Sequence, residues 1–271
     1  MKYEESKPSA RFASFVKCYW SIEYHITAAA EPEPIVPDGC IEIVYDLGDR
    51  FRQYDDRGGF EIQPEVLVAG QQKSAVFIGA AGKVSLFGIR FWPAGAGHFF
   101  ESEVSEFSGR IIDLGLVWGN SVGLVAERLA ESDSFAQKIK IIEEDLGSRL
   151  DHSRLRQTAI DHAVSLIASG AGMASIPKIA RLAAISERGL ERKFKQAIGL
   201  SPKSYSRIVR FQRVLGSLEA CDLVEIADTA FKFGYYDQSH LINDFRQFSG
   251  LTPKDYLQRQ RVMTEAFISV E

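Results

Sequence analysis

The sequence predicts an α+β protein in two parts. Residues 1–153 read as a β-barrel or sandwich-like domain with trailing helices, residues 154–261 as an all-α domain with two helix-turn-helix motifs joined by a linker helix, and 262–271 as a tail. Three observations predict this. Apolar residues recur at strand spacing to about residue 110 and at helical spacing beyond it. The charge reverses along the chain: residues 1–153 hold 15 Lys and Arg against 24 Asp and Glu, a net of −9, whereas 154–261 hold 17 against 10, a net of +7. The basic part also repeats itself internally.

Taken whole, 271 residues with 45% hydrophobic and 25% charged side chains and a net charge of −4 make an ordinary globular composition, with room for two domains. No apolar run reaches the ~18 to 20 residues of a membrane span. Met1-Lys2-Tyr3-Glu4-Glu5 places carboxylates where a signal peptide is basic, so a cytoplasmic protein is expected. Cys18, Cys40 and Cys221 are odd in number and far apart, which fits reduced thiols. The small total charge argues against a nucleic-acid partner only if the charge is evenly spread, and it is not.

In the acidic part, Phe15 to Ile26, Cys40 to Leu47, Glu61 to Ala69, Ala75 to Ala80 and Val84 to Trp92 are rich in Val, Ile, Phe, Tyr and Trp and are bounded by turn clusters such as Asp55-Asp56-Arg57-Gly58-Gly59. Ile41, Ile43 and Tyr45 are expected on one face of their strand, with Glu42 and Val44 on the other. Pro32, Pro34 and Pro37 stiffen the approach to a tight turn at Asp38-Gly39. Asn120 to Ala130 and Ser134 to Leu150 then carry helical patterns. Phe135, Ile139, Ile142, Leu146 and Leu150 form one stripe, which either seams a dimer or packs on its own sheet. Asp133 or Ser134 can cap its start.

Catalysis is not expected of this part. His25, His98 and His152 are scattered, without the clustered imidazoles of a metal site, and no nucleophile-elbow, phosphate-loop or dinucleotide motif occurs. No cofactor or metal is expected.

The basic part is more specific. Ser175 can cap a short helix with Pro177 in its first turn and Ile176, Ile179, Ala180 and Ala183 inward. Ser186 can cap a second helix with Leu190 and Phe194 four apart on the buried face, leaving Arg188, Glu191, Arg192 and Lys195 outside. About 47 residues on, Leu223 to Gly234 repeats the Ile-Ala rhythm and adds a turn glycine, and Tyr236 to Arg246 repeats the capped helix with Leu241 and Phe245. Gly199-Leu200-Ser201-Pro202-Lys203-Ser204-Tyr205 matches Gly250-Leu251-Thr252-Pro253-Lys254-Asp255-Tyr256. The two units are thus placed at about 175–197 and 223–247. Between them Tyr205 to Leu218 reads as a helix, with Ile208, Val209, Leu215 and Leu218 inward and Arg207, Arg210 and Arg213 outward. Helix, short turn, helix with a basic outer face is the geometry that sets a second helix into the DNA major groove.

Residues 159–258 resemble the C-terminal DNA-binding domain of the AraC/XylS family of bacterial transcription regulators. The paired Ile-Ala motifs, Gly234-Tyr235, Asp237-Gln238-Ser239-His240, Phe245-Arg246 and Gly250-Leu251-Thr252-Pro253 before Tyr256 carry the resemblance. Pro37-Asp38-Gly39-Cys40-Ile41-Glu42 and Phe87-Gly88-Ile89-Arg90-Phe91-x-Pro93 resemble the barrel-like N-terminal domain of one branch of that family. In one departure, Ala184 stands where the family usually has a turn glycine. Ala in a left-handed turn costs roughly 1 kcal/mol relative to Gly, so a slightly remodelled first turn is expected.

The resemblance implies base contacts from Arg188, Glu191 and Arg192 on the first reading helix and from Gln238, Ser239, Ile242 and Asn243 on the second. Arg suits guanine, Gln and Asn suit adenine, and Glu can accept from cytosine. Ser186, Lys195, Arg207 and Arg246 are the phosphate candidates, which position without reading sequence. Expected partners are double-stranded DNA on two adjacent major-groove segments, a small-molecule effector, a second copy of the chain, and RNA polymerase if the outcome is activation. Two alternatives stay open: a regulator controlled by a protein partner without a small ligand, and a barrel enzyme tethered to DNA. A deep apolar cavity in the N-terminal domain favours sensing, and a packed core favours protein contact.

Overall fold

A computed structural model describes residues 1–26, 32–55, 57–151, 158–218 and 230–258. The acidic part carries strands β1 (Lys2–Ser6), β2 (Val16–Ile26), β3 (Glu33–Ile35), β4 (Glu42–Asp46), β5 (Arg52–Tyr54), β6 (Phe60–Ile62), β7 (Val66–Ala69), β8 (Val76–Gly79), β9 (Gly82–Phe91) and β10 (Ile111–Asp113). They form a six-stranded sheet in the order β1-β2-β9-β4-β7-β10 and a four-stranded sheet in the order β3-β8-β5-β6. All the strand pairs are antiparallel. This is the sandwich form of the expected fold, with the sheets facing each other rather than closed into one barrel. The stretch read as one strand over 61–69 divides around Pro64 into β6 and β7, which belong to different sheets, because proline cannot donate to a ladder. Pro34 sits in the edge strand β3, where that missing donor costs least.

The large sheet separates two apolar layers. Ile43 and Tyr45 of β4 join Tyr19, Val68, Phe87 and Ile89 on the face covered by α2 (Ser121–Ala130) and α3 (Phe135–Arg149). Trp20, Ile22, Phe51, Ile78 and Leu86 lie between the sheets. Glu42, Val44 and Asp46 point to that space, as strand alternation requires. In β2 a bulge between Val16 and Cys18 changes parity, so that Val16 joins the first layer and Cys18 the second. A four-residue helix, α1 (Gly115–Trp118), precedes α2. The stripe of α3 is consumed by its own domain: Ile142 and Leu146 are buried, and Phe135, Ile139 and Leu150 pack against them. Packing is therefore its role, and Ser134 is its cap, its Oγ accepting from Gln137 N at 3.2 Å.

The basic part is helical: α4 (Thr158–Ser169), α5 (Ile176–Leu182), α6 (Glu187–Ile198), α7 (Pro202–Leu218), α8 (Gln238–Ser249) and α9 (Pro253–Gln258). Its core gathers Ile179, Ala180, Leu190, Phe194, Ile208, Phe211, Leu241, Phe245 and Tyr256. Phe211 and Val214 of α7 are buried besides the residues expected there, and the Leu218 side chain lies outside the described residues. So do the first helix of the second unit over 223–229, the 153/154 domain boundary and the 262–271 tail. Among the described residues no helix is long and apolar enough to cross a membrane.

The two parts meet along one side. Gln212 Nε2 of α7 donates to Pro37 O at 2.7 Å, Ser108 Oγ donates to Gly199 O at 2.5 Å, and Gln196 Nε2 donates to Glu103 Oε1 at 3.0 Å. Val36 and Ala94 of the acidic part pack against the helical core. The contacts fall on the C-terminal ends of both α6 and α8, since Gly199 lies beside Ser108 and Gly250 beside Phe77 of β8.

Candidate nucleic-acid interface and effector cavity

The two helices expected to read DNA, α6 and α8, are built alike. Ser186 Oγ accepts from Gly189 N at 3.1 Å to cap α6, and Asp237 Oδ1 accepts from His240 N at 2.7 Å to cap α8, each satisfying an otherwise orphaned donor. Each ends on a left-handed glycine, Gly199 at φ 89° and Gly250 at φ 72°, which only a residue without Cβ adopts freely. Leu190, Phe194 and Ile198 bury one helix, and Leu241, Phe245 and Phe248 the other. Truncating Phe194 or Phe245 would cost about 3 to 5 kcal/mol.

The turns before them also match. Ala184 takes φ 53°, and Ile185 N donates to Ala180 O at 3.0 Å; Gly234 takes φ 72°, and Tyr235 N donates to Ala230 O at 2.9 Å. The first turn is thus not remodelled, because Ala184 itself adopts the left-handed conformation. Ser175 precedes α5 in extended backbone but makes no side-chain cap bond. The turns lie 50 residues apart and the reading helices 51, rather than about 47. The one-residue difference lengthens the second turn, where Tyr236 stands 85% exposed directly before the cap.

Arg188, Glu191, Arg192 and Lys195 of α6 are exposed with Ser186, as are Gln238, Ser239, Asn243 and Arg246 of α8, while Ile242 is half-buried. Arg207 is placed differently. Its Nη2 donates at 2.6 Å to Asp244 Oδ1 and at 2.6 Å to Gln247 Oε1, and its guanidinium lies over Phe248. Arg210 likewise faces inward, donating to Gly234 O at 3.3 Å with its guanidinium over Tyr235. These two arginines of α7 fasten the second unit to the linker helix. Sequence reading missed this because a basic residue on a helix face carries no mark of its partner. It also passed over Lys178 and Arg181, which α5 exposes.

The acidic part holds a cavity of ≈ 90 Å³ between its sheets. Trp20, Val44, Phe51, Leu67, Ile78 and Leu86 supply apolar wall, and Glu42, Asp46, Gln63 and Gln72 the polar points. A second space of ≈ 70 Å³ shares Ile35, Glu42, Ala69 and Gln72 with it and reaches Pro37, Asp38, Arg90 and Gln212. Glu42 and Arg90 are cross-strand neighbours, and Arg90 Nε donates to Glu42 Oε1 with Asp38 Oδ2 at 3.5 Å. Burial raises the Glu42 pKa, with Arg90 acting in the opposite direction. The Cys18 thiol is pushed up to about 12 by burial, and burial raises Cys40 well above the ordinary thiol range. Both are held as unreactive thiols at neutral pH. Among the described residues no group of three or more His, Cys, Asp or Glu is placed to hold a metal ion.

Residues 179–259 match the family described as a helix-turn-helix domain, and residues 4–113 match a domain of unknown function, DUF6597. No curated protein matches the chain. Among solved structures, ToxT from Vibrio cholerae is similar at 8% identity over 88% of this chain and 97% of its own, with a TM-score of 0.48. ToxT bound to (E)-4-(8-methylnaphthalen-1-yl)but-3-enoic acid is similar at 11% identity over 88% and 98%, also with a TM-score of 0.48. A transcriptional regulator with an AraC-type DNA-binding domain from Chromobacterium violaceum is 28% identical over 39% of this chain and 96% of its own, with a TM-score of 0.36. With its twin capped helices and the match over 179–259, the chain carries a DNA-binding helix-turn-helix domain.

Proposed function

We propose that the protein reads DNA with α6 and α8 in two adjacent major-groove segments on one face of the duplex, about 10 base pairs apart. The observation that carries this reading is the equivalence of the two helices: same caps, same buried face, same left-handed lead-in turn, and polar outer faces at both. Arg188, Glu191, Arg192, Gln238, Ser239 and Asn243 are the base readers, with Ile242 available for a thymine methyl. Ser186, Lys195 and Arg246 take phosphates.

The sandwich controls this activity by binding a small molecule between its sheets. The cavity supports that reading over control by a protein partner, because a domain used only for protein contact has no reason to leave apolar walls unfilled around converging polar groups. A second copy of the chain doubles the number of reading helices on an extended site, and RNA polymerase is the further partner if the outcome is activation.

The test is selection of bound duplexes from a random-sequence library by the full chain. A bipartite motif with elements one helical turn apart is expected. A single uninterrupted element would refute the two-segment reading, and retention without sequence preference would refute sequence-specific regulation.

A further inference from the structure

We infer that Tyr236 is a DNA-backbone contact of the second helix-turn-helix unit, its phenol hydroxyl donating to a phosphate at the edge of the groove that α8 enters. The inference rests on α6 and α8 both reading DNA and adds a residue to that reading.

It begins with an imbalance of charge between the two units. Residues 175–197 hold Lys178, Arg181, Arg188, Arg192, Lys193 and Lys195 against Glu187 and Glu191, 6 − 2 = +4, and all six cations are exposed. Residues 223–247 hold Lys232 and Arg246 against Glu225, Asp228, Asp237 and Asp244, 2 − 4 = −2. Arg207 and Arg210, which α7 brings to the second unit, are engaged inside it by Asp244, Gln247 and Gly234 O. A unit of that charge gains little from counterion release on a polyanion, so its grip on the backbone has to come largely from neutral donors.

Tyr236 is placed to be one. In the first unit Ala184, Ile185 and the cap Ser186 are consecutive. Gly234 and Tyr235 correspond to Ala184 and Ile185, since Tyr235 N donates to Ala230 O at 2.9 Å as Ile185 N does to Ala180 O at 3.0 Å. Tyr236 is therefore an added residue before the cap Asp237. Tyr235 takes the inward place, buried with its ring edge-on to His240 and the Arg210 guanidinium over it. Tyr236 is left 85% exposed, and its hydroxyl makes no hydrogen bond among the described residues. Asp237 beside it turns Oδ1 to His240 N, which commits that carboxylate to the cap. A recognition helix meets base edges with its N-terminal residues. The residue just before its cap then stands at the lip of the groove, where the sugar-phosphate strand runs and where a tyrosine hydroxyl can bond a phosphate oxygen.

The test uses the full chain, a duplex recovered from the random-sequence library, and the variants Tyr236→Phe and Tyr236→Ala. Tyr236→Phe is expected to weaken binding about 10-fold or more, as one hydrogen bond to a charged group is lost, and Tyr236→Ala by no less. The slope of log affinity against log salt should stay unchanged, because no charge is removed. Ethylation of single phosphates should reveal one, at the edge of the α8 segment, whose modification weakens binding of the unsubstituted chain and leaves Tyr236→Phe unaffected. The ring is exposed, so the thermal midpoints should agree; if a midpoint falls, the ethylation pattern, read on bound complexes, still decides. Undiminished affinity of Tyr236→Phe, a slope lowered by about 1, or the same ethylation pattern in both proteins overturns the inference. Two protected segments with an unaffected Tyr236→Phe defeat this inference alone, whereas an unsubstituted chain without sequence preference defeats the reading beneath it and the inference with it.

Discussion

Tyr205, near the start of the linker helix α7, lies directly over Gly39 in the turn that leads into β4. A Cβ at Gly39 would come within 2.7 Å of Tyr205 Cε2, and the glycine sits at φ 81°. The Asp38-Gly39 turn of the acidic part is therefore shaped to receive a ring of the DNA-binding part. Gly39→Ala meets both the left-handed strain and the ring, and is expected to lose about 2 kcal/mol of stability by chemical denaturation. Unchanged stability would mean that the two parts do not dock through this contact.

The lead-in turns offer a pair of substitutions with opposite signs. Ala184 is exposed and left-handed, so Ala184→Gly should stabilise the chain by about 1 kcal/mol. Gly234→Ala should destabilise by more than that amount, because its new Cβ also approaches Met173 Cγ at 2.8 Å. Equilibrium unfolding in urea measures both, and equal signs would contradict the turn geometry.

Arg207 separates fastening from phosphate binding. Asp244 is buried and paired with Arg207, and its Oδ2 has no hydrogen-bond partner among the described residues, so removing Arg207 leaves this carboxylate of α8 without its paired cation. Arg207→Ala should cost about 3 kcal/mol of stability while leaving the salt dependence of DNA binding nearly unchanged. Arg246→Ala should lower the slope of log affinity against log salt by about 1. A lowered slope for Arg207→Ala with intact stability would return it to the phosphate contacts.

Cys18 and Cys40 should resist alkylation at pH 7 to 8 in the folded chain and react on unfolding. Their raised pKa values keep the thiolate scarce at that pH, and the protection should weaken as pH rises toward 12 for Cys18. Peptide mapping after iodoacetamide treatment reads this, and rapid native labelling of either would contradict it.

The helical part was legible because caps, left-handed turns and i, i+4 apolar pairs are local, so Ser186, Leu190 and Phe194 announce their helix without knowledge of anything distant. The face alternation of β4 was legible for the same reason. The short strands β1, β5 and β10 were not, since strands of three to five residues carry too few apolar side chains to show a period. Nor could sequence show why Phe87-Gly88-Ile89-Arg90 and Asp38 to Glu42 belong together. The reason is a cross-strand register that sets Arg90 against Glu42, and a glycine at 88 over which the Trp20 ring lies. The cavity was illegible because its walls come from strands of both sheets.

We propose that two equivalent helices, α6 and α8, each read one segment of DNA. Hydroxyl-radical footprinting of the full chain and of Gln238→Ala on a selected site tests it most directly. Two protected segments one helical turn apart are expected, with protection of the α8 segment weakened by Gln238→Ala and protection of the α6 segment retained. Loss of both segments together with the fold intact, or a footprint that Gln238→Ala leaves unchanged in strength and position, would contradict it.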